Sequence, residues 1–126
     1  MKINIKTSGI ELTPAITGYV YEKLEYLNKH LVGVDAETIV ADVEVGKTTH
    51  HHHKGEVFRA EINLSVNGVF YRTETIEEDL YAAIDKAKDA MALELERGKG
   101  KRETLLRRGG RFVKGLLRGW GNESDE

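Results

Sequence analysis

The sequence contains no cysteine, which excludes disulfides, thiolate nucleophiles and every zinc site built on sulfur ligands. Any metal would have to be held by His, Asp or Glu. Proline occurs once, at Pro14, so no ring interrupts a helix or strand elsewhere. No apolar run approaches the roughly 20 residues that a membrane span needs. The opening MKINIKTSG alternates polar and apolar residues and lacks the apolar core of a secretory leader. A cytoplasmic protein without a membrane partner is the expectation. Walker A loops, nucleophile elbows and dinucleotide-binding fingerprints are also missing. Asp79 and Asp85, six residues apart on a helix, face different ways and make no carboxylate pair. Neither an enzyme nor a cofactor nor a small-molecule substrate is expected.

What is present suits a folded domain: 40% of the 126 residues are hydrophobic and 32% charged, enough for one two-layer core. The net charge of −2 hides a strong segregation. Residues 1 to 96 hold 10 Lys/Arg against 17 Asp/Glu, a net of −7. Residues 97 to 120 hold 9 Lys/Arg against Glu103 alone, a net of +8, and the last six residues add −3. A segment so basic points to a polyphosphate partner.

Lys2 to Thr7 alternate with Ile3 and Ile5 on one face, the period of a half-buried strand. Thr13 precedes Pro14 at a first helical position, and a helix is predicted from Pro14 to about Leu31 with the core stripe Ile16, Val20, Leu24, Leu27 and Leu31. A second stripe, Tyr19, Lys23, Tyr26 and His30, lies about a quarter turn away. Alternation predicts strands over Thr38 to Gly46 and Val57 to Val66, and Asn67-Gly68 predicts a tight hairpin into a strand from Val69 to about Ile76. Leu80, Ile84, Ala87, Met91 and Leu95 repeat at helical spacing behind an Asp79 cap, and Gly98 and Gly100 should weaken the helix beyond. The order βαβββα implies an α+β two-layer sandwich, a four-stranded mixed sheet with two helices on one face and a parallel first pair.

LTPAI at Leu12 to Ile16, the Gly-bounded strand pair and DLYAAID at Asp79 to Asp85 occur in an order and spacing that resemble the ribosome hibernation-promoting factor and ribosome-associated inhibitor family over residues 1 to 101. The family's fold is similar to double-stranded RNA-binding domains. The resemblance implies binding to rRNA of the small ribosomal subunit, in the channel of messenger and transfer RNA, and silencing of idle ribosomes in starvation or stationary phase. It carries a basic role to Lys23 and to Lys99 and Lys101. On the second helix Lys86, Ala90, Leu93 and Arg97 form one stripe, and Ala and Leu stand where the family tends to have basic residues; Tyr26 and Glu94 also depart from its pattern. Long members carry a further ribosome-pairing domain, which is not expected in a chain of this length.

The two parts expected are a ribosome-binding domain over residues 1–98 and a basic, flexible tail over 99–126. RNA contacts are expected from Lys23, His30, Lys54, Lys86, Arg97, Lys99, Lys101, Arg102, Arg107, Arg108 and Arg111. RRGGRF at Arg107 to Phe112 combines Arg, Gly and an aromatic, which suits stacking and close backbone approach. If six tail cations each neutralise one phosphate, log affinity falls with log salt at a slope of about −5. Alternatively, Leu105, Leu106, Phe112, Val113, Leu116, Leu117 and Trp120 make the tail a basic amphipathic helix that docks on a protein or membrane surface, in a generic RNA-binding or protein-interaction module. His50 to His53 lack the spacing and carboxylates of an organised metal site, and fit a loop that reaches RNA or stays solvated. Protonation near pH 6.5 would make that loop more cationic. The free protein is expected to be a monomer.

Overall fold

Pro14 opens the first helix because its ring fixes φ near the helical value and the N–H it lacks would find no partner there. In the computed structural model Thr13 caps this helix, its Oγ1 accepting from the Ile16 N–H at 3.2 Å. The structure describes residues 1–49 and 55–117, with side chains as far as residue 99. Helix α1 runs Pro14–Glu25 and then tightens into a 3-10 turn at Tyr26–His30. The predicted helix to Leu31 is therefore α-helical over only part of its length. Three-residue turns commonly end helices, and this one keeps Leu27 and Leu31 in the core beside Ile16, Val20 and Leu24.

Four strands follow the alternation: β1 Lys2–Ser8, β2 Val40–Thr48, β3 Val57–Val66 and β4 Val69–Glu77. They form one sheet in the order β1-β2-β3-β4, parallel between β1 and β2 and antiparallel elsewhere. Asn67 and Gly68 have φ of 51° and 79°, the two left-handed residues that a type I′ turn requires. Ala41, Val43 and Val45, Ala60, Ile62 and Leu64, and Tyr71 point to one face, where both helices cover them in a single core.

Helix α2 runs Leu80–Leu117. Asp79 caps it, its Oδ2 accepting from the Ala82 N–H at 2.9 Å. Two threonines on alternate positions of β4 reach carbonyls one helical turn apart: Thr73 Oγ1 donates to Ala87 O at 3.1 Å and Thr75 Oγ1 to Ala83 O at 2.6 Å. Ile84, Ala87, Met91 and Leu95 are buried as expected, while Leu80 is half-buried.

Beyond residue 98 the backbone differs from the expectation. It stays helical through Gly98, Gly100, Gly109 and Gly110. Each glycine costs a helix about 1 kcal/mol relative to Ala, but propagation of an existing helix adds one hydrogen bond per residue without a new nucleus, and Leu, Arg, Lys and Glu between the glycines favour it. The chain divides into two compact units, Met1–Glu96 and Arg97–Glu126.

Candidate nucleic-acid interface

The second stripe lies along α2, with Tyr19, Lys23 and His30 half-buried and Tyr26 still 54% exposed. Tyr19 meets Tyr81 edge-on, with ring centroids 4.9 Å apart and planes at 86°. One turn along, Lys23 Nζ lies 3.1 Å from Asp85 Oδ1 and 5.0 Å from the Tyr19 centroid. Lys88 Nζ lies 2.6 Å from Asp89 Oδ1, 3.6 Å from Asp85 Oδ1 and 4.4 Å from the Tyr26 centroid. Lys29 approaches the same ring at 4.2 Å, and His30 Nδ1 lies 3.2 Å from Glu96 Oε2. The seam between the helices is thus a ladder of aromatic rings and cations in which Lys23, Lys88 and His30 each meet a carboxylate.

The hydrogen bond to Asp85 raises the Lys23 ammonium above its ordinary value, and the hydrogen bond to Asp89 does the same for Lys88. The bond from Lys23 in turn holds the Asp85 carboxyl below the usual carboxylate range. Both cations stay charged at neutral pH. Contact with RNA through Lys23 would exchange a carboxylate for a phosphate.

The opposite face of the sheet carries a different arrangement. Arg59 donates to Glu44 at 2.9 Å, to Glu61 at 2.7 Å and to Glu74, and Arg72 donates to Glu61. Burial pushes the Glu61 carboxyl up, but the hydrogen bonds from Arg72 and Arg59 outweigh it and leave it below the ordinary range. Arg59 is held protonated well above its ordinary value, first by Glu74 and then by Glu44. Arg59 and Arg72 on this face are answered by acids, so the pair offers RNA little net attraction.

The family model for sigma-54 modulation protein / S30EA ribosomal protein matches residues 3–103. The chain belongs to this family. A ribosome hibernation promoting factor of Klebsiella oxytoca is 33% identical over 80% of this chain and 96% of its own length, and the factor of that name from Escherichia coli is 30% identical with the same coverage. The ribosome hibernation promotion factors of Picosynechococcus and Bacillus subtilis are 31% and 27% identical, and the chain spans 50% and 62% of their lengths. The N-terminal domain of Thermus thermophilus protein Y has the same fold, with a TM-score of 0.64 and 32% identity over 77% of this chain and 98% of that domain.

In this S30EA family member, Lys23 and His30 are both half-buried in the seam. Lys86 is exposed in the first unit, and Arg97 and Lys99 are exposed in the second. Lys101, Arg102, Arg107, Arg108 and Arg111 lie on helical backbone with side chains outside the described residues, and His50 to Lys54 lie outside them altogether. Sequence reasoning missed Lys88, a cation only 7% exposed. Its signal was the acidic pair Asp85 and Asp89 beside it, at the spacing that lets Tyr81, Asp85 and Lys88 share one helix face. Among the described residues no group of three or more His, Asp or Glu is placed to hold a metal, and no helix is long and apolar enough to cross a membrane.

The seam has a pH signature. A carboxylate whose folded pKa is depressed stabilises the fold fully above its unfolded value and loses that contribution as pH falls through the folded value. Asp85→Asn is expected to lower the melting temperature at pH 7, where Asp85 is charged and paired with Lys23. The difference from wild type shrinks on acidification, and the two melting curves meet once the pH has fallen through the lowered value of the folded Asp85 carboxyl. Calorimetry across that range checks it; a gap that stays constant with pH removes the ion pair from the account.

Proposed function

We propose that this chain is a ribosome-associated hibernation factor that binds small-subunit rRNA in the messenger and transfer RNA channel and silences idle ribosomes in the cytoplasm. The observation that carries the reading is membership of the S30EA family over residues 3–103, in a chain whose excess positive charge begins at the end of that match, from Arg97 on. Relatives of similar length are named hibernation promoting factors. The factor acts by occupying RNA rather than by catalysis.

In this reading the two units divide the work. The first docks through Lys23, His30 and Lys86, with Lys54, between β2 and β3 in the sequence, as a further cation. The second adds Arg97, Lys99, Lys101 and Arg102, then Arg107, Arg108 and Arg111 further along the basic segment. Phosphate contacts of this kind fix position and supply affinity without reading sequence, which suits a factor whose target is a site in one large RNA.

A reconstituted translation reaction tests the proposal. Stoichiometric protein is expected to inhibit ribosomes that carry no messenger, whereas ribosomes preloaded with messenger and initiator transfer RNA should resist, because the channel is already filled. Equal inhibition of both would remove the channel from the account, and no inhibition at saturating protein would remove the function.

A further inference from the structure

Strand β4 closes the sheet on one side and, among the described residues, pairs with β3 alone. The two-residue turn makes Val66 and Val69 the first hydrogen-bonded pair of the hairpin. Antiparallel alternation then turns the N–H and C=O groups of Val69, Tyr71, Thr73 and Thr75 toward β3, and those of Phe70, Arg72, Glu74 and Ile76 outward from the edge. Natural edges are usually blunted by charged side chains, lysine above all, by proline or by a bulge, and β4 has only Arg72, Glu74 and Glu77 of these. The nine residues VFYRTETIE contain neither lysine nor proline and pair with β3 without a bulge. Phe70, 80% exposed, and Ile76, 36% exposed, stand on the open face of the sheet with Arg72 and Glu74 between them.

We propose that this edge pairs with β4 of a second copy of the chain, antiparallel, about a two-fold axis at Thr73. Thr73 is the midpoint of Val69–Glu77, so the pairing uses the whole strand. In that register Phe70 faces Ile76 of the second copy and Arg72 faces its Glu74, each contact occurring twice. Every residue with an outward backbone meets another such residue, so the edge donors and acceptors from Phe70 to Ile76 are all satisfied. Moving the axis to residue 72 sets Arg72 against itself and Phe70 against Glu74; moving it to residue 74 sets Glu74 against itself. Like charges directly opposite are unfavourable, so charge selects the central register. Arg72 and Glu74 already belong to the network with Glu61 and Arg59, which the pairing would continue across the axis. The expectation of a free monomer then applies at low concentration only. A strand edge is a small interface, so the pair is weak and dissolves on dilution.

Sedimentation velocity of the full chain from about 5 µM to about 500 µM follows the mass action. The average mass is expected to rise from one copy toward two. Phe70→Lys with Ile76→Lys sets lysines opposite each other at both contacts and should stay monomeric throughout. Phe70→Lys with Ile76→Glu sets opposite charges there and should pair again. A wild type that remains one copy at every concentration overturns the proposal and leaves the edge to a strand of another protein. Association unchanged in the two-lysine variant overturns it as well. Should that variant fail to fold, the amide resonances of the wild type decide: concentration-dependent shifts at Phe70, Arg72, Glu74 and Ile76 support the edge, and shifts confined to the helices refute it.

Discussion

Replacing Arg107, Arg108 and Arg111 together with alanine is expected to weaken ribosome binding about a hundredfold at 0.15 M salt, because each phosphate contact contributes a factor that grows as salt falls. Counterion release makes the loss diagnostic. With three contacts gone, the slope of log affinity against log salt should become shallower by about 2.7, and the variant and wild type should converge toward 1 M salt. A hydrophobic docking role for the same segment predicts the reverse, a difference that persists or grows with salt. Binding titrations at four or five salt concentrations separate the two. A slope equal to that of wild type would show that these arginines do not touch RNA phosphates, while leaving Lys23, Lys86 and the folded domain as the remaining grip.

Gly46→Ala is expected to be among the most destabilising small substitutions in the chain. A Cβ at Gly46 would stand 2.1 Å from the Ser8 carbonyl oxygen and 2.4 Å from Ser8 Oγ. The oxygen is backbone in the adjacent parallel strand, so relief requires β1 and β2 to part at the end of their ladder. Overpacking of this kind costs about 1–3 kcal/mol, which lowers the melting temperature of a domain this size by roughly 5–20 °C. Gly18→Ala is the matched control. It sits in α1 with nothing within 4 Å of the new Cβ, and the gain in helix propensity should raise stability by about 0.5–1 kcal/mol. Thermal melts of both variants test the pair, and a neutral Gly46→Ala would contradict the close approach of the strands.

Much of this was legible in the sequence for identifiable reasons. Strands alternate with period two and helices with period 3.6, so Ile3 and Ile5, the Val43 and Ile62 rows and the Leu24 and Met91 stripes declared their faces directly. Asn67-Gly68 fixed the hairpin because few other pairs tolerate two left-handed residues. LTPAI and DLYAAID carried the family. The run of α2 past Gly98 and Gly100 to Leu117 is not legible in the sequence, because glycine lowers propensity locally while helix growth is cooperative. The site was harder to read. The Tyr19, Lys23, Tyr26, His30 stripe was visible as a stripe, but its destination was not, since nothing within α1 says that Asp85, Lys88 and Glu96 stand opposite. A cation row on one helix looks the same whether it meets RNA or a neighbouring helix; only the packing of α1 beside α2 shows that its charges are partly spent within the protein. On the proposed function, that packing shifts the expected RNA contact toward the basic segment from Arg97 onward.

The central claim is that this chain holds ribosomes through positive charge concentrated after residue 96. Its most direct test is sedimentation of a cell lysate through a sucrose gradient at low salt, with the protein followed by immunoblot. The account predicts that it travels with the small subunit and with whole ribosomes, and that raising the salt releases it to the top of the gradient. Protein that stays at the top at low salt would contradict it.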